Sequence, residues 1–358
     1  MRIGLVAPPG IPVPPEAYGG IEAVVDRLAR GLDAAGHHVV LAAAPDSTVP
    51  VTTVPGTDDG TGAAPENGDL NSELRHVLTA YAAMEDVDLI HDHTVAGPLC
   101  HPPTGGAPIV TTAHGPFDGE MLPLYRAMEG VPVIAISHDQ ASRSDGVPIR
   151  AVIHHGIDVA QVPVGRGDGG YACFLGRMTP DKGPREAAQI ARAAGIPLRM
   201  AAKMREPAEK EYFKAEVEPL LGSGVEYVGE AGWDDKIALL GGAVALLNPL
   251  GWSEPFGLVM IEALATGTPV VATPCGSVPE IVEDGVTGYV DADHEALARA
   301  LVAAADLDRG ACRSAAERRF DTARMVEDHL RVYESVLAEK EGADPEGGAS
   351  VTTSTGAR

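Results

Sequence analysis

Two glutamates eight residues apart, Glu254 and Glu262, form the pattern in this sequence with the clearest chemical meaning. Each carboxylate has two oxygens that accept hydrogen bonds, so such a pair can grip the neighbouring hydroxyls of two diols. Residues 257–259 lie between them and begin a predicted helix, with Glu262 two turns further on. The first N–H groups and the positive end of a helix dipole attract a phosphate, and a glycine allows close approach of a ligand. The structural alternative is that Glu254 caps the helix and Glu262 is solvated.

Two cations, Arg177 and Lys182, stand five residues apart in a loop that follows another predicted strand. Lys182 is the first lysine of the chain, and Gly176, Pro180 and Gly183 shape the loop around it. Fixed cations in such a loop stabilise negative charge as it develops on a leaving group. The G-x4-G-K-[ST] pattern is absent, which excludes a Walker A phosphate loop. The structural alternative is a pair of exposed loop cations.

Polar residues also stand at the ends of predicted strands in the first half of the chain. Asp92 and His93 close one strand, His114 follows a second, and Gly19-Gly20 opens the helix after the first strand. Ligands bind at the edge where parallel strands end, so these residues are candidates for one common site. The alternatives are a structural histidine and glycines that serve helix packing. Because the G-x-G-x-x-G fingerprint is absent, a nicotinamide dehydrogenase is disfavoured.

Predicted strands and helices alternate twice along the chain, which indicates an α/β protein with two Rossmann-like, doubly wound domains. The first domain covers residues 1–164 and the second covers residues 171–318, with the glycine-rich segment 165–170 as the linker. An amphipathic helix over residues 319–340 closes the chain and is expected to cross back. The irregular segments are a surface loop at 46–69 and an expected disordered tail at 341–358.

Residues 254–272 read EPFGLVMIEALATGTPVVA, which closely resembles the signature of retaining glycosyltransferase family 4, E-P-F-G-L-V-x-x-E-A-x-A-x-G-x-P-V-[IV]-A. Residues 276–282 and 284–289 are similar to the next two motifs of that family. Residues 175–183 are similar to its strand-G-R-x-x-x-x-K-G element. The resemblance spans almost the whole chain. It implies a GT-B fold, in which two Rossmann-like doubly wound domains face each other across a cleft.

The resemblance also implies roles for the matched residues. Glu262 is expected to bind the ribose hydroxyls of a nucleotide, and Glu254 the donor sugar near its 3- and 4-hydroxyls. Arg177 and Lys182 are expected to hold the diphosphate, while His114 faces the donor sugar. The expected catalytic set is Glu254, His114, Arg177 and Lys182. The expected donor-binding set is Gly20, Arg177, Lys182, Val228, Glu230, Glu254, Phe256, Gly257, Leu258, Val259 and Glu262.

Acceptor recognition is expected in the first domain, where Asp92 or His93 faces the acceptor. The usual N-G-[IV]-D element of the family reads HGID here, because His155 stands in place of the asparagine. This change is expected to affect hinge packing. The D-x-D matches at 86–88 and 291–293 are attributed to chance in an acidic chain, so no metal and no cofactor are expected.

The expected reaction is transfer of a sugar from a nucleoside diphosphate donor, with UDP as the default nucleotide. The acceptor is a small molecule or a glycan, and the donor's anomeric configuration is retained. A phosphorylase and a nucleotide-sugar epimerase would use the same cleft and stay open as alternatives. A nucleotide-binding regulatory protein without turnover is a third reading, from another functional class.

The charge of the chain limits its partners. Its 358 residues carry a formal net charge of −24, which excludes the basic footprint of a nucleic-acid-binding protein. Residues 1–163 hold seven arginines, no lysine and 20 acidic residues, so they lack the basic cluster that anionic lipid attracts. A soluble acceptor and no strong membrane association are therefore expected. The four cysteines are scattered, and neither a leader nor a long apolar run is evident, so a cytoplasmic protein with free thiols is expected.

Overall fold

The computed structural model describes residues 1–54, 70–100 and 106–343, and these residues form two parallel β-sheets. The strands of the first sheet are β1 (Arg2–Val6), β2 (His38–Ala42), β3 (Thr52–Val54), β4 (Leu89–Asp92), β5 (Ile109–Thr112), β6 (Val133–Ala135) and β7 (Ile149–Val152). Those of the second are β8 (Ala172–Arg177), β9 (Leu198–Lys203), β10 (Val225–Gly229), β11 (Leu246–Asn248), β12 (Val270–Ala272) and β13 (Gly288–Val290). The strand orders are β3-β2-β1-β4-β5-β6-β7 and β10-β9-β8-β11-β12-β13.

Helices alternate with the strands in both domains. Those of the first domain are α1 (Gly20–Ala34), α2 (Leu70–Ala83), α3 (Ala96–Leu99), α4 (Met121–Arg126) and α5 (His138–Ser142). The rest are α6 (Pro184–Ala194), α7 (Pro207–Tyr212), α8 (Trp233–Gly242), α9 (Leu258–Ala265), α10 (Val278–Ile281), α11 (His294–Ala303), α12 (Arg309–Arg319) and α13 (Thr322–Ala343). Short 3₁₀ or π turns lie at Val159–Gln161, Pro180–Lys182, Phe213–Val217, Glu218–Leu220 and Ala304–Asp306. The predicted two-domain, doubly wound α/β class is confirmed.

The order of strands positions a ligand site in each domain. Successive strands are added on one side of β1 as far as β3, and the chain then returns to the other side of β1 with β4. The same reversal in strand order occurs beside β8 in the second domain. Ligands of doubly wound sheets bind outside the carboxyl ends of the strands at such a reversal. Both faces of these strands are buried, as β1 illustrates. Ile3 and Leu5 pack with α1, and Val6 packs on the opposite face with α2. This explains why β1 reads as a continuous apolar run.

The chain crosses between the domains twice, and the two crossings lie side by side. The Ile157 N–H donates to the Phe320 carbonyl at 2.8 Å, and the Thr322 N–H donates to the Ile157 carbonyl at 3.1 Å. Gly156 leaves no room for a side chain, because a Cβ there would lie 2.9 Å from the Cα of Thr322. We refer to residues 156–158 together with 320–322 as the hinge.

The predicted linker, residues 165–170, lies against the second domain instead of between the domains. The Gly165 N–H donates to the Thr266 carbonyl, and the Gly167 N–H donates to the Gly241 carbonyl, both at 2.9 Å. A Cβ on Gly165 would lie 2.1 Å from the Gly241 carbonyl oxygen, so glycine serves close packing here rather than flexibility. The crossing therefore precedes the boundary that we expected at residue 164.

The closing helix crosses back as expected, but its bounds differ from the predicted 319–340. Helix α12 ends at Arg319, Phe320 enters the core of the second domain, and α13 begins at Thr322. The residues of α13 that enter the core of the first domain are Met325, Val326, Val332, Tyr333 and Val336. The amphipathic pattern continues through Phe320, so it does not reveal the break. Helix α13 also includes residues 341–343 of the expected tail, and the rest of that tail lies outside the described residues.

The expected surface loop at 46–69 contains a strand. Thr52–Val54 forms β3, which pairs in parallel with β2 at the edge of the first sheet. Two of its three residues are exposed, which explains why no apolar run marks it. Residues 55–69 lie outside the described residues. None of the helices seen in the described part of the chain has the length and hydropathy needed to cross a membrane.

Docking of α13 on α1 can be tested at Gly31, where a Cβ would lie 2.4 Å from Cγ2 of Val326. Alanine favours a helix over glycine by about 1 kcal/mol, so Gly31→Ala would stabilise an undocked α1. We expect instead a loss of about 1–3 kcal/mol from overpacking, measured by urea unfolding. In a Val326→Ala background the same substitution should cost at least about 1 kcal/mol less. Equal costs in the two backgrounds would contradict the docking.

Candidate active site

A cavity of about 780 Å³ lies between the two domains and is lined by both. Most of the predicted site residues line it, namely Gly20, His114, Arg177, Lys182, Glu230, Glu254, Phe256, Gly257, Leu258, Val259 and Glu262. Val228, Asp92 and His93 are not among its lining residues. The two glutamates, the two cations and the strand-end histidine are thus brought to one cleft from β5, β8 and α9.

Glu254 is held by contacts to its backbone and to its carboxylate. A Cβ on Gly276 would lie 2.2 Å from the Glu254 carbonyl oxygen, and the Ser277 N–H donates to that oxygen at 3.0 Å. At the side chain, Oε2 accepts a hydrogen bond from Lys182 Nζ and another, at 3.0 Å, from Trp252 Nε1. Glu254 is therefore not the helix cap of the structural alternative, because Gly257 caps α9 and the Glu254 carboxylate pairs with Lys182.

The loop that carries the two cations is fixed by its glycine. Gly183 has φ +73°, and a Cβ there would lie 2.1 Å from the Pro249 carbonyl oxygen. Arg177 contacts the Asp181 carboxylate at 3.4 Å, and its buried Nε has no hydrogen-bond partner among the described residues. Lys182 Nζ lies 4.9 Å from the centre of the Trp252 ring. Arg177 lines the cavity, and Asp181 is the carboxylate that pairs with it.

Helix α9 begins at the cleft, where Gly257, Leu258 and Val259 line the cavity. Gly257 precedes the helix with φ +80°, a left-handed conformation that glycine adopts without strain. Phe256 also lines the cavity, and its phenyl ring is buried. Glu262 is the fifth residue of α9, a little over one turn in rather than the two turns expected. The first N–H groups of a helix have no intrahelical acceptor and are therefore suited to a phosphate.

Glu262 belongs to a group that spans both domains. Its Oε1 accepts from Lys236 Nζ at 2.7 Å and lies 3.8 Å from a guanidinium nitrogen of Arg27. Both cations also lie over the Trp233 ring, at 4.8 Å for Lys236 and 5.4 Å for Arg27. Sequence reasoning missed all three partners. The spacing of these residues could have indicated them. Arg27 follows Gly20 by two helical turns and Lys236 follows Trp233 by three residues, so each shares a helix face with the earlier residue.

Glu230 and Val228, predicted near the nucleobase, separate in the structure. Glu230 accepts hydrogen bonds from Arg205 Nη2 at 2.7 Å and from the Tyr18 N–H at 3.2 Å, which ties the glycine turn of the first domain to the second domain. Val228 is exposed on β10 and does not line the cavity. Val228 lies within β10, whereas Glu230 follows its last residue, Gly229, so the alternation of side chains along a strand does not place the two residues together.

The two residues predicted to face the acceptor lie inside the first domain. Asp92 is fully buried and accepts from the Tyr81 hydroxyl at 2.7 Å and from the Thr94 N–H at 2.6 Å. His93 points to the opposite face, where its Nδ1 lies 2.9 Å from Nε2 of His114. Neither residue lines the cavity, and His93 contacts His114, which does. Contact of Asp92 or His93 with the acceptor stays a prediction.

Histidines continue behind His114. The ring centres of His91 and His93 are 4.1 Å apart, and Nδ1 of His91 lies 2.7 Å from the hydroxyl of Tyr333 on α13. On the cavity side, the His155 ring stacks on His114 at 5.3 Å. Burial and the nearby imidazole of His329 lower the pKa of His114 to about 3. His114 is therefore neutral near pH 7 and acts as a hydrogen-bonding group rather than as a cation.

Within the described ranges, one group of side chains could hold a metal ion. The ligand atoms of His138, His154 and Glu280 lie within 4.8 Å of one another, where the domains meet. The Glu280 carboxylate accepts from the backbone N–H groups of His138 and Asp139, at 2.8 and 2.7 Å, and from His154 Nε2 at 2.9 Å. These bonds account for the group as a junction between domains. Burial alone would raise the pKa of Glu280. The hydrogen bonds to its carboxylate have the larger opposite effect, so the pKa lies below its ordinary value.

The D-x-D segments serve local structure. Asp88 accepts from the Arg2 N–H at 2.7 Å, and Asp293 accepts from the Ala296 N–H at 3.0 Å as the cap of α11. Neither segment contributes a residue to the cavity lining. The absence of a metal requirement stays a prediction.

Known proteins match both halves of the chain. Residues 18–161 match the family described as Glycosyltransferase Family 4, and residues 170–306 match the family described as Glycosyl transferases group 1. The chain is 29% identical to a phosphatidyl-myo-inositol mannosyltransferase of Mycolicibacterium smegmatis, over 94% of each protein.

Solved structures share the fold. AviGT4, a glycosyltransferase involved in avilamycin A biosynthesis, is 29% identical with a TM-score of 0.74, over 94% of this chain and 98% of that one. Anabaena HepE in complex with UDP and glucose is 19% identical with a TM-score of 0.73, over 94% of this chain and 100% of that one. The architecture is therefore that of GT-B glycosyltransferases.

The buried histidines are expected to make stability depend on pH. Burial lowers the pKa values of His76, His91, His93, His114, His155 and His329, to about 4 for the last. A histidine in the unfolded chain has a pKa of about 6.5. Below that pH the unfolded chain binds more protons than the folded chain, so the free energy of unfolding falls. Burial raises the pKa of Glu22 to about 7 and of Asp92 to about 6, so these two carboxyls stabilise the folded chain as the pH falls. The six buried histidines outnumber them.

We expect Tm to be at least about 5 °C lower at pH 5.5 than at pH 7.5. His329→Asn is the matched variant, because asparagine can still donate to the Met325 carbonyl, as His329 Nδ1 does at 2.8 Å, but cannot be protonated. Its Tm should fall less between the two pH values. His38 is exposed, so His38→Asn should follow the wild type. Parallel pH curves for His329→Asn and the wild type would contradict this account.

Proposed function

Because the chain belongs to glycosyltransferase family 4, we propose that it is a retaining enzyme that transfers a sugar from a UDP-sugar to a soluble acceptor without a metal ion. The observation that carries the proposal is the convergence of Arg177, Lys182, Glu254, Glu262 and the start of α9 on one interdomain cavity. Cations and free amides suit a diphosphate, and carboxylates suit the hydroxyls of ribose and sugar. Few other ligands need all of these groups together.

In the proposed reaction the bond between the anomeric carbon and the diphosphate oxygen breaks first. Arg177, Lys182 and the first amides of α9 stabilise the charge that develops on the departing diphosphate. Glu254 and the neutral His114 hold the sugar as it gains oxocarbenium character. The acceptor hydroxyl then forms its bond on the same face and passes its proton to the departing phosphate oxygen. The anomeric configuration of the donor is thereby retained.

The ion pairs of the cleft support this assignment. Lys182 is paired with Glu254, and Lys236 is paired with Glu262. A nucleotide sugar offers phosphate oxygens to the cations and hydroxyls to the carboxylates, so each charged group exchanges one partner for another. A buried charge left without a partner costs several kcal/mol, and this exchange avoids that cost.

The first test is a thermal-shift panel of UDP, GDP, ADP, NAD⁺ and phosphate, with and without EDTA. Binding to the folded state raises Tm in a concentration-dependent way. We expect UDP to stabilise the protein selectively and EDTA to leave the effect unchanged. Stabilisation by GDP alone would replace the proposed nucleotide, and stabilisation by NAD⁺ alone would remove the proposed function. With the donor identified, NMR of the product's anomeric proton tests retention.

Arg177→Ala should lower kcat/KM for the donor by about 100-fold or more, because one fixed donor to the leaving group is lost. Glu262→Ala should weaken nucleotide binding about 10-fold or more, because a charged hydrogen-bond acceptor is lost. Arg199→Ala is the matched control, since Arg199 is exposed on β9 outside the cavity lining. Full activity of Arg177→Ala or full nucleotide affinity of Glu262→Ala would refute the site assignment.

The soluble acceptor rests on charge. The mannosyltransferase to which the chain is similar carries a phosphatidyl lipid in its name, whereas residues 1–163 of this chain contain no lysine and 20 acidic residues. An acidic surface is repelled by anionic lipid. We expect no co-sedimentation with vesicles of anionic phospholipid at about 0.1 M salt. Binding that weakens as salt rises would favour a lipid acceptor instead.

A further inference from the structure

His155 stands in the floor of the cavity although no chemical role was predicted for it. The residue follows β7 at the hinge, lines the cavity and is 4% exposed. Its ring stacks on His114 with centres 5.3 Å apart and meets the edge of Phe256 at 5.0 Å. It therefore lies between a predicted sugar contact of the first domain and the segment of the second domain that follows Glu254.

The two ring nitrogens of His155 have different surroundings. Nδ1 is buried and has no hydrogen-bond partner among the described residues. This leaves Nε2 as the ring nitrogen that the cavity can reach. A buried N–H without an acceptor is rare in proteins and costs about 1–3 kcal/mol. The neutral ring therefore carries its proton on Nε2, which points an N–H donor toward the cavity.

A similar argument applies to His114. Its Nε2 faces Nδ1 of His93, whose own Nε2 is buried without a partner in the described part of the chain. The His93 proton therefore lies on Nδ1 and is donated to His114 Nε2. His114 is then left with its proton on Nδ1, as a second neutral donor beside His155. Burial keeps the pKa of both rings below the ordinary value, so neither adds a charge near pH 7.

We propose that His155 is a sugar-binding residue whose Nε2–H donates a hydrogen bond to an oxygen of the transferred sugar. This inference rests on the proposed function and adds a donor-sugar contact at a position where the family pattern has asparagine. The stacking of His155 on His114, which is predicted to face the sugar, favours the sugar over the diphosphate, whose proposed partners are Arg177, Lys182 and the first turn of α9. A neutral donor suits a sugar oxygen, which carries no formal charge.

Two amide variants distinguish the ring nitrogens. The amide of glutamine can place an N–H near the position of Nε2, whereas the shorter asparagine reaches only near Nδ1. With the donor found in the nucleotide panel, His155→Asn should lower kcat/KM for the donor about 10-fold, and His155→Gln should retain most of it. Nucleoside diphosphate affinity should change less than about twofold in both variants, because the missing contact is to the sugar. Exposed His38→Asn is the control, and Tm reports folding.

A second measurement does not depend on turnover. Long-range ¹H–¹⁵N spectra, assigned by comparison with His155→Asn, should show the His155 proton on Nε2 in the free protein. A proton on Nδ1 would overturn the inference. Full activity of His155→Asn, an effect only on the acceptor KM, or an equal loss of nucleoside diphosphate affinity would do the same while the proposed function stands. Absence of both nucleotide binding and turnover in the wild type would overturn the function and this inference together.

Discussion

Charge balance in the cleft is the constraint on which the rest of the site depends. The chain as a whole carries a formal charge of −24, yet among the described residues that line the cavity there are as many basic as acidic side chains. The cations are Arg27, Arg30, Arg177, Lys182, Lys203 and Lys236, and the carboxylates are Glu22, Asp26, Asp158, Glu230, Glu254 and Glu262. Pairs formed in advance hold long side chains in place, and each half of a pair can turn to the group of a ligand that it suits. An acidic protein can thereby receive an anionic ligand without a basic surface.

The floor of the same cleft follows a different principle. His93, His114 and His155 pack together inside the protein, where burial favours the neutral imidazole over the cation. A neutral imidazole has one donor nitrogen and one acceptor nitrogen. Once one nitrogen of a ring is assigned as donor or acceptor, the other nitrogen, and the histidine nitrogen that it contacts, are assigned as well. The described lining thus combines charged side chains with two neutral histidines, His114 and His155. This combination matches a ligand with an ionic diphosphate at one end and a neutral sugar at the other.

The hinge and α13 keep the two parts of the site together. The paired crossings at Ile157 and Phe320 join the domains at one edge, and α13 carries Tyr333 back to the row of histidines through its contact with His91. Arg27 and Tyr18 reach from the first domain to carboxylates of the second. Motion at the hinge would therefore change both the ion pairs at the nucleotide side and the enclosure of the floor. Domain position and ligand contacts are linked through the same residues.

The sequence by itself determined the features that local pattern carries. Continuous apolar runs predicted the buried parallel strands, their alternation with helices predicted two doubly wound domains, and the motif of Glu254 and Glu262 predicted one wall of the cleft. These features depend on residues close together in the chain, so spacing is enough to read them. The break at Phe320 and the edge strand β3 escaped prediction because each depends on a partner elsewhere in the fold.

Only the tertiary structure decided which side chains meet. It turned Asp92 and His93 to opposite faces of β4, placed Lys236 and Arg27 on Glu262, and moved the domain crossing from the glycine-rich segment to Gly156. It also gave His155 a place in the floor of the cavity rather than a role confined to the hinge. Such contacts join residues far apart in the chain, and they follow from the twist and register of whole sheets. A pattern of neighbouring residues does not contain that information.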